Sequence, residues 1–354
     1  MTLSPVFRSP DSVRLLAQEG VWERLAPAVE AQTRAVAAVR GDLPSLLDAR
    51  FLAGHGESGT PPEDSPTFLQ EFFFLILFRS LFQELGVSHE RLQLYSELDF
   101  CIKGTITAAD NLFDDQGKSL LPLKVEAGDR FLSILQLMCF ERLARRVLDR
   151  GLKAGSLSRG QDDEILRGLI SLMADIGTLE GSEEGGVEEI PTPDEMVDGV
   201  HRVRGGALFA LAFVAPAVLE TGVVAKAIQA AEPAVARLGT AFQIVDDLTD
   251  FEFDVGRRSH NLLVSQIHHR GAPAEQEALD RLQRGDAPAS GMVEDVFRES
   301  ARAVLERAYS EARASFRELE KLGFWFPPHL ADEVVHAIVG LEGVTRMATL
   351  AGEG

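Results

Sequence analysis

A helix that is largely apolar and still carries four aspartates within nine positions leaves its chain few ways to fold. Residues 239–261, GTAFQIVDDLTDFEFDVGRRSHN, have that character. Asp246, Asp247, Asp250 and Asp254 are interleaved with Phe242, Ile244, Val245, Leu248, Phe251 and Phe253. The run lacks proline, and Gly239 and Gly256 frame its carboxylates, so the pattern predicts a helix. Positions 243, 247, 250 and 254 then share a face. Like charges at such spacings repel and destabilise an isolated helix. A solvated acidic face is one resolution. The interleaved apolar residues favour burial instead, and a buried acidic stripe requires a cation opposite it. Carboxylate donors suit Mg²⁺, with Mn²⁺ as a substitute, rather than zinc. Magnesium held this way keeps coordination positions open for substrate phosphates.

The rest of the chain narrows the function classes. With 45% hydrophobic and 25% charged residues in 354, there is ample material for a core. A net charge of −20 argues against a nucleic-acid binder or a polybasic membrane anchor. An anionic substrate stays compatible, because metal ions neutralise it locally. Cys101 and Cys139 both lie in apolar helical segments. They read as core residues of a reduced, cytoplasmic protein. The N-terminal MTLSPVFRSPDSVRLL has no apolar signal-peptide core. The apolar stretches 72–78 and 205–219 fall short of the roughly 20 residues of a membrane helix, and Pro216 interrupts the second.

Helical periodicity dominates and strand-like alternation is nowhere sustained. The expected architecture is all-α, a single large helical bundle spanning 1–354. Residues 1–66 would form peripheral helices and a loop, and 67–354 the catalytic bundle. Helices are expected over 68–85, from His89 to the first acidic cluster, and over 125–148 and 161–179. Two more, 193–204 and 206–222, should meet at Gly205-Gly206. The helix containing 239, then 291–321 and 328–349, complete the set. Loops are expected at 54–66 and 270–290, and the acidic 180–195 reads as a mobile solvated connection.

A second acidic cluster, Asp110, Asp114 and Asp115, lies in AADNLFDDQG. Alone it is an ordinary acidic helix end. Facing the first cluster across a bundle, it would help hold several Mg²⁺ ions that grip a diphosphate. The pattern Gly-x-x-Phe-Gln-x-x-Asp-Asp-x-x-Asp at 239–250 resembles the second aspartate-rich motif of the trans-isoprenyl diphosphate synthases, within the class I isoprenoid synthase superfamily. The segment from Asp110 resembles their first, Asp-Asp-x-x-Asp, with Asn111 where the second Asp would stand. Ala127-Gly128-Asp129 is similar to the helix start that follows that motif. Arg204-Gly205-Gly206-Ala207-Leu208-Phe209 resembles the family's Lys-Thr-Gly-x-Leu-Phe, whose cation touches the diphosphate.

The resemblance runs in order over residues 68–265. It implies metal ligands at Asp110, Asp114, Asp115, Asp246, Asp247, Asp250 and Asp254. It also implies substrate contacts at Arg204, Gln243 and Phe242, and a homodimer. Arginine at 204 keeps the charge and adds a bidentate fork. A helix break at the glycine pair would expose amides to an anion. The alternative for Arg204 is a surface salt bridge.

Chain-elongating members of the family keep Lys and Arg for isopentenyl diphosphate near the N-terminus and after the first metal motif. Here no Lys or Arg occurs between Arg50 and Arg79, and only Lys118 and Lys124 follow Asp115 closely. Lys103 is an isolated substitute, or a residue that snorkels to the surface. Asp246, Asp250 and Asp254, then Gly256 and His260-Asn261-Leu262, also resemble a terpene synthase signature, with Arg257 and Arg258 as a diphosphate clamp. His260 is equally suited to capping the next helix. The expectation is therefore an enzyme that ionises a prenyl diphosphate, with cyclisation or quenching ahead of elongation. A prenyltransferase with a rearranged isopentenyl site is the alternative, and a noncatalytic partner subunit the third reading.

Overall fold

The computed structural model describes residues 10–43, 66–114, 117–125, 127–338, 346, 349 and 350. These contain helices and connecting turns and no β-strand. The helices are α1 (Pro10–Gln18), α2 (Val21–Gly41), α3 (Pro66–Glu84), α4 (His89–Asp114), α5 (Asp129–Ala154) and α6 (Arg159–Ser182). α7 (Pro193–Leu219) changes pitch along its length. α8 (Gly222–Thr249), α9 (Phe251–Arg257), α10 (Leu262–Arg270), α11 (Pro273–Gln283), α12 (Met292–Asp295), α13 (Arg298–Lys321) and α14 (Ala331–Ile338) follow. The expected loop at 54–66 lies outside the described residues except for Pro66, which opens α3. The chain divides into two compact units, one of residues 1–5, 20–167 and 211–228, the other of 6–19, 168–210 and 229–354.

The first unit is built on α4 and α5. Glu97 pairs with Arg150, Leu94 approaches Gly151, Gly104 faces Phe140 and Asn111 bonds Ser133, so the two helices run antiparallel along most of their length. A Cβ on Gly104 would overlap the Phe140 ring, so glycine is required there to seat it. Phe140 stacks edge-on against Phe100, and Phe100 against Phe72. Phe82 does the same with Tyr95 and Phe213. Tyr95 carries its hydroxyl to Glu220 at 2.6 Å, which satisfies the one polar atom of that cluster. Many of the chain's 21 phenylalanines are thus ordinary core.

The second unit contains the acidic stretch. Three expectations about it change. The helix carrying Asp246 begins at Gly222, runs to Thr249 and breaks at Asp250, which opens α9. The break is shallow: Asp250 N–H still reaches the Asp246 carbonyl, and Asp254 N–H that of Asp250. The expected break at Gly205-Gly206 is absent, because residues 196–206 widen into a π-helix that continues directly into α-helix. That continuity joins the two expected helices, 193–204 and 206–222, into one segment. Pro193–Leu219 alone among the described residues is long and apolar enough to cross a membrane, and more than half of it is buried. Finally, the region 270–290 contains α11, capped by a Glu275 carboxylate that accepts from Ala272 N–H. Its charged sequence hid a short amphipathic helix.

Arg346 secures the acidic turn from the chain's C-terminal side. Its guanidinium donates to the Leu248 carbonyl at 2.6 Å and pairs with Glu252 and Glu294. The terminal carbonyls of α8 therefore meet a positive charge.

Two helical glycines should respond to alanine in opposite directions. Gly104→Ala should cost about 1–3 kcal/mol of stability through overpacking. Gly177→Ala, where a Cβ meets nothing within 4 Å on an exposed helical turn, should gain about 0.5–1 kcal/mol. Urea unfolding of both variants measures the contrast, and equal shifts would refute the Gly104 packing.

Candidate active site

Within the second unit, α7 and α8 lie antiparallel at unusually close range. His201 meets Asp247, Gly205 meets both Gln243 and Gly239, and Gly206 meets Ala236 and Thr240. A Cβ on Gly205 would overlap the Gly239 carbonyl oxygen, and one on Gly239 would overlap that of Gly205. The glycine pair thus serves backbone approach between helices and not anion binding at a helix break. The π-helix widens α7 over the same span, an irregularity frequent at functional sites.

This contact places Arg204 beside acids of the same unit. Its Nε lies 2.5 Å from Glu180 and its Nη2 donates to Glu183 at 2.5 Å. Burial works against the guanidinium charge, but Glu180, Glu183 and Asp247 outweigh it and raise its pKa. Glu183 also accepts from His260, through the ring Nδ1 at 2.6 Å and the backbone N–H at 3.1 Å. Burial opposes ionisation of Glu183, yet His260 and Arg204 prevail and its pKa falls below the ordinary range. The 180–195 segment is therefore anchored, contrary to a mobile connection: Val187 N–H donates to the Arg258 carbonyl at 2.8 Å. Arg204 is a largely buried ion-pair partner and not a surface one. Nothing in the local spacing singled out Glu180 or Glu183 from a generally acidic run.

The four aspartates divide into two kinds. Asp247 is 2% exposed, and its Oδ2 accepts from His201 Nε2 at 2.8 Å and from Leu262 N–H at 2.5 Å. Asp254 accepts from Asn261 Nδ2 at 2.8 Å. Burial first, then the charges of Asp247, Asp250 and Asp246, push its carboxyl well above the usual range. Asp246 is half-buried and accepts from Gln243 Nε2 at 3.2 Å, while Asp250 is exposed. Asn261, and not His260, caps α10: its Oδ1 accepts from the Leu263 and Val264 amides. Arg258 occupies a left-handed turn at φ 59° and donates to the Val187 carbonyl. Arg257 lies 5.0 Å from the Phe253 ring centre. Phe242 is half-buried, with its ring 6.0 Å from that of Phe209.

In the first unit, Asp110 is exposed near the end of α4. The side chain of Asp114 and the whole of Asp115 lie outside the described residues. Asn111 is buried, where its Nδ2 donates to the Lys118 carbonyl and to Ser133 Oγ, and its Oδ1 accepts from Lys118 N–H. A carboxylate cannot make those two donations, which accounts for asparagine at this point of the motif. Lys103 is half-buried and its Nζ sits 5.4 Å from the Phe72 ring centre.

Donor chemistry decides whether a divalent cation fits. Among the described residues no three Asp, Glu, His or Cys side chains form a ready metal cage. Magnesium does not need one, since it binds through one or two carboxylates, waters and substrate phosphates. Asp246 and Asp250 meet that requirement, and the mutual repulsion registered at Asp254 is what a cation would relieve.

No protein-family model and no curated protein matches this sequence. Solved structures do. A decaprenyl diphosphate synthase from Rhodobacter capsulatus superposes with a TM-score of 0.61 at 18% identity, over 90% of this chain and 99% of that one. A polyprenyl synthase from Caulobacter crescentus, complexed with calcium and isoprenyl diphosphate, gives 0.55 at 16%, over 99% of each chain. A geranylgeranyl pyrophosphate synthetase from Pyrococcus horikoshii gives 0.52 at 13%, over 93% of this chain and 98% of that one. This chain has the all-α fold of the class I isoprenoid synthases.

The raised pKa of Asp254 sets a pH dependence. A carboxyl whose folded pKa lies above its unfolded value contributes stability fully present below the unfolded pKa and lost as pH rises through the folded one. Asp254→Asn should therefore stabilise the protein in chelator at neutral pH, because it removes a carboxyl that burial and its acidic neighbours make hard to ionise. Its advantage should shrink on acidification. Thermal unfolding in EDTA across pH measures this, and an advantage independent of pH would refute it.

Proposed function

We propose that this chain is an enzyme of isoprenoid biosynthesis that binds an allylic prenyl diphosphate and transfers its prenyl group to isopentenyl diphosphate. The observation that carries the reading is the match, over 90% of this chain and 99% of the other, with a decaprenyl diphosphate synthase, taken together with Asp246 in the last turn of α8 and Asp250 just beyond it. Bound Mg²⁺, held by Asp246 and Asp250, would supply Lewis-acid charge to the departing diphosphate. Gln243 orients Asp246 by hydrogen bonding. Arg204 exchanges Glu180 and Glu183 for diphosphate oxygens, to which its fork is equally suited. Phe242 and Phe209 offer ring faces that stabilise a developing allylic cation without attacking it. Arg258 contributes a further cation, and Asp114 and Asp115 complete the first acidic cluster. The exposed apolar row Phe131, Ile134 and Met138 on α5 supports a homodimer, and the free thiols of Cys101 and Cys139 support a reducing, cytoplasmic setting.

A second reading, cyclisation or quenching without isopentenyl diphosphate, is favoured by the engagement of cations in the first unit. Arg79 is buried and donates to the Leu92 carbonyl and Ser96 hydroxyl. Arg150 is tied to Asp42 and Glu97, and Arg40 to the Leu120 carbonyl. These side chains serve the fold, and a second diphosphate would need others.

Radiolabelled isopentenyl diphosphate with C10, C15 and C20 allylic diphosphates, at saturating Mg²⁺, separates the readings. Incorporation into a longer prenyl diphosphate is expected. Diphosphate release with a hydrocarbon or alcohol and no incorporation would establish the second reading instead. No turnover with any combination would leave the noncatalytic-subunit reading. Arg204→Ala should lower kcat/KM by roughly 2 kcal/mol, about thirtyfold, and Arg204→Lys by much less. Unchanged kinetics would return Arg204 to a purely structural role.

A further inference from the structure

His201 is fully buried, on the π-helical part of α7, and belongs to none of the motifs the chain resembles. Its Nε2 donates to Asp247 Oδ2 at 2.8 Å, while its Nδ1 finds no hydrogen-bond partner. A buried imidazole with one nitrogen left unsatisfied is costly, and an apolar residue would avoid that cost. The compensating role must lie in what Nε2 does. Asp247 Oδ2 takes a second donor, Leu262 N–H, at 2.5 Å. Asn261 closes the same knot, donating from Nδ2 to the Asp247 carbonyl at 2.7 Å and to Asp254 Oδ2. One carboxylate oxygen thus ties α7 and the start of α10 to the end of α8.

We propose that His201 is a positioning residue. Through Asp247 it fixes the rotation of the last turn of α8, and so the direction in which Asp246 and Asp250 present their carboxylates to a divalent cation. Asp247 is then a tether and not a metal ligand, a correction to what its place in the Asp-Asp-x-x-Asp pattern implies. Asp246 and Asp247 are neighbours about 100° apart on the helix, so the grip that points one inward turns the other outward. Three further features suit this role. The Gly205–Gly239 contact brings α7 close enough for a short imidazole to reach. The π-helical pitch places His201 and Gly205 against the same helix. Both donors to Asp247 are N–H groups, one of a ring and one of the backbone, which fix the carboxylate by their direction. The proposal rests on the functional reading above, since it gives Asp246 and Asp250 a cation to meet.

The experiment uses the full chain and Mn²⁺ as a paramagnetic probe, with inorganic diphosphate present, so that it reads binding without turnover. Wild type, His201→Leu, His201→Gln and Asp247→Asn are titrated by electron paramagnetic resonance, with thermal unfolding measured in EDTA. Glutamine keeps a donor near the position of Nε2, and leucine removes it. The expected result is an at least tenfold weaker Mn²⁺ affinity for His201→Leu and recovery to within about threefold for His201→Gln, with unfolding temperatures that do not follow the affinities. In the double variant His201→Leu/Asp247→Asn, the losses should not add, because the two residues act as one unit. Additive losses would make Asp247 a ligand in its own right and overturn the proposal. So would equal affinities across the series, or a glutamine variant no better than leucine. If His201→Leu does not fold, the comparison of His201→Gln with wild type and with Asp247→Asn still decides. Glutamine at the Asp247→Asn level overturns the proposal, and glutamine near wild type supports it. Wild type that binds no Mn²⁺ with diphosphate would instead remove the functional reading itself, and this inference with it.

Discussion

The second unit depends on the contact between Gly205 and Gly239. Two helices carrying side chains at those positions would be held further apart, and hydrogen bonds between short side chains could not span the gap. With hydrogen atoms alone at the crossing, His201 reaches Asp247 and Gly206 rests on Ala236. The same approach brings Asp247 near enough to Arg204 to raise its pKa alongside Glu180 and Glu183. The polar arrangement is a consequence of backbone proximity, and the glycines have no chemical role of their own.

That proximity creates an electrostatic problem that the unit solves unevenly. Asp247 is satisfied by two N–H donors and Asp254 by one amide, yet Asp254 remains difficult to ionise. Asp246 is half-buried and Asp250 exposed. Under the proposed function, a cation with oxygen preference and open coordination positions would complete this pattern, because two carboxylates suffice for Mg²⁺. Arg204 shows the complementary case. Its charge is balanced by Glu180 and Glu183, so under the proposed function a diphosphate would meet a cation that is already oriented.

Burial and hydrogen bonding also reassign residues that a motif treats alike. Asn111 and Asp247 hold corresponding second positions in the two aspartate-rich segments, and both are buried. Asn111 must donate and Asp247 must accept, which explains the amide in one and the carboxylate in the other. His260 and Asn261 divide their work in the same way, one holding Glu183 and the other capping α10.

The sequence by itself determined the helical class, the position of most helices and the two acidic segments. Each of these is written in local spacing: apolar residues recur at the helical period, and carboxylates one turn apart share a face whatever surrounds them. Pitch and partner were beyond its reach. The π-helix at 196–206, the break at Asp250 and α11 within a charged region depend on how neighbouring helices pack, and local propensity is too weak to report that. The anchoring of the acidic 180–195 segment needed Arg204 and His260, residues far along the chain. Only the tertiary structure could separate a buried carboxylate held by N–H donors from a more exposed one, because a hydrogen-bond partner is fixed by distance in space and not along the chain.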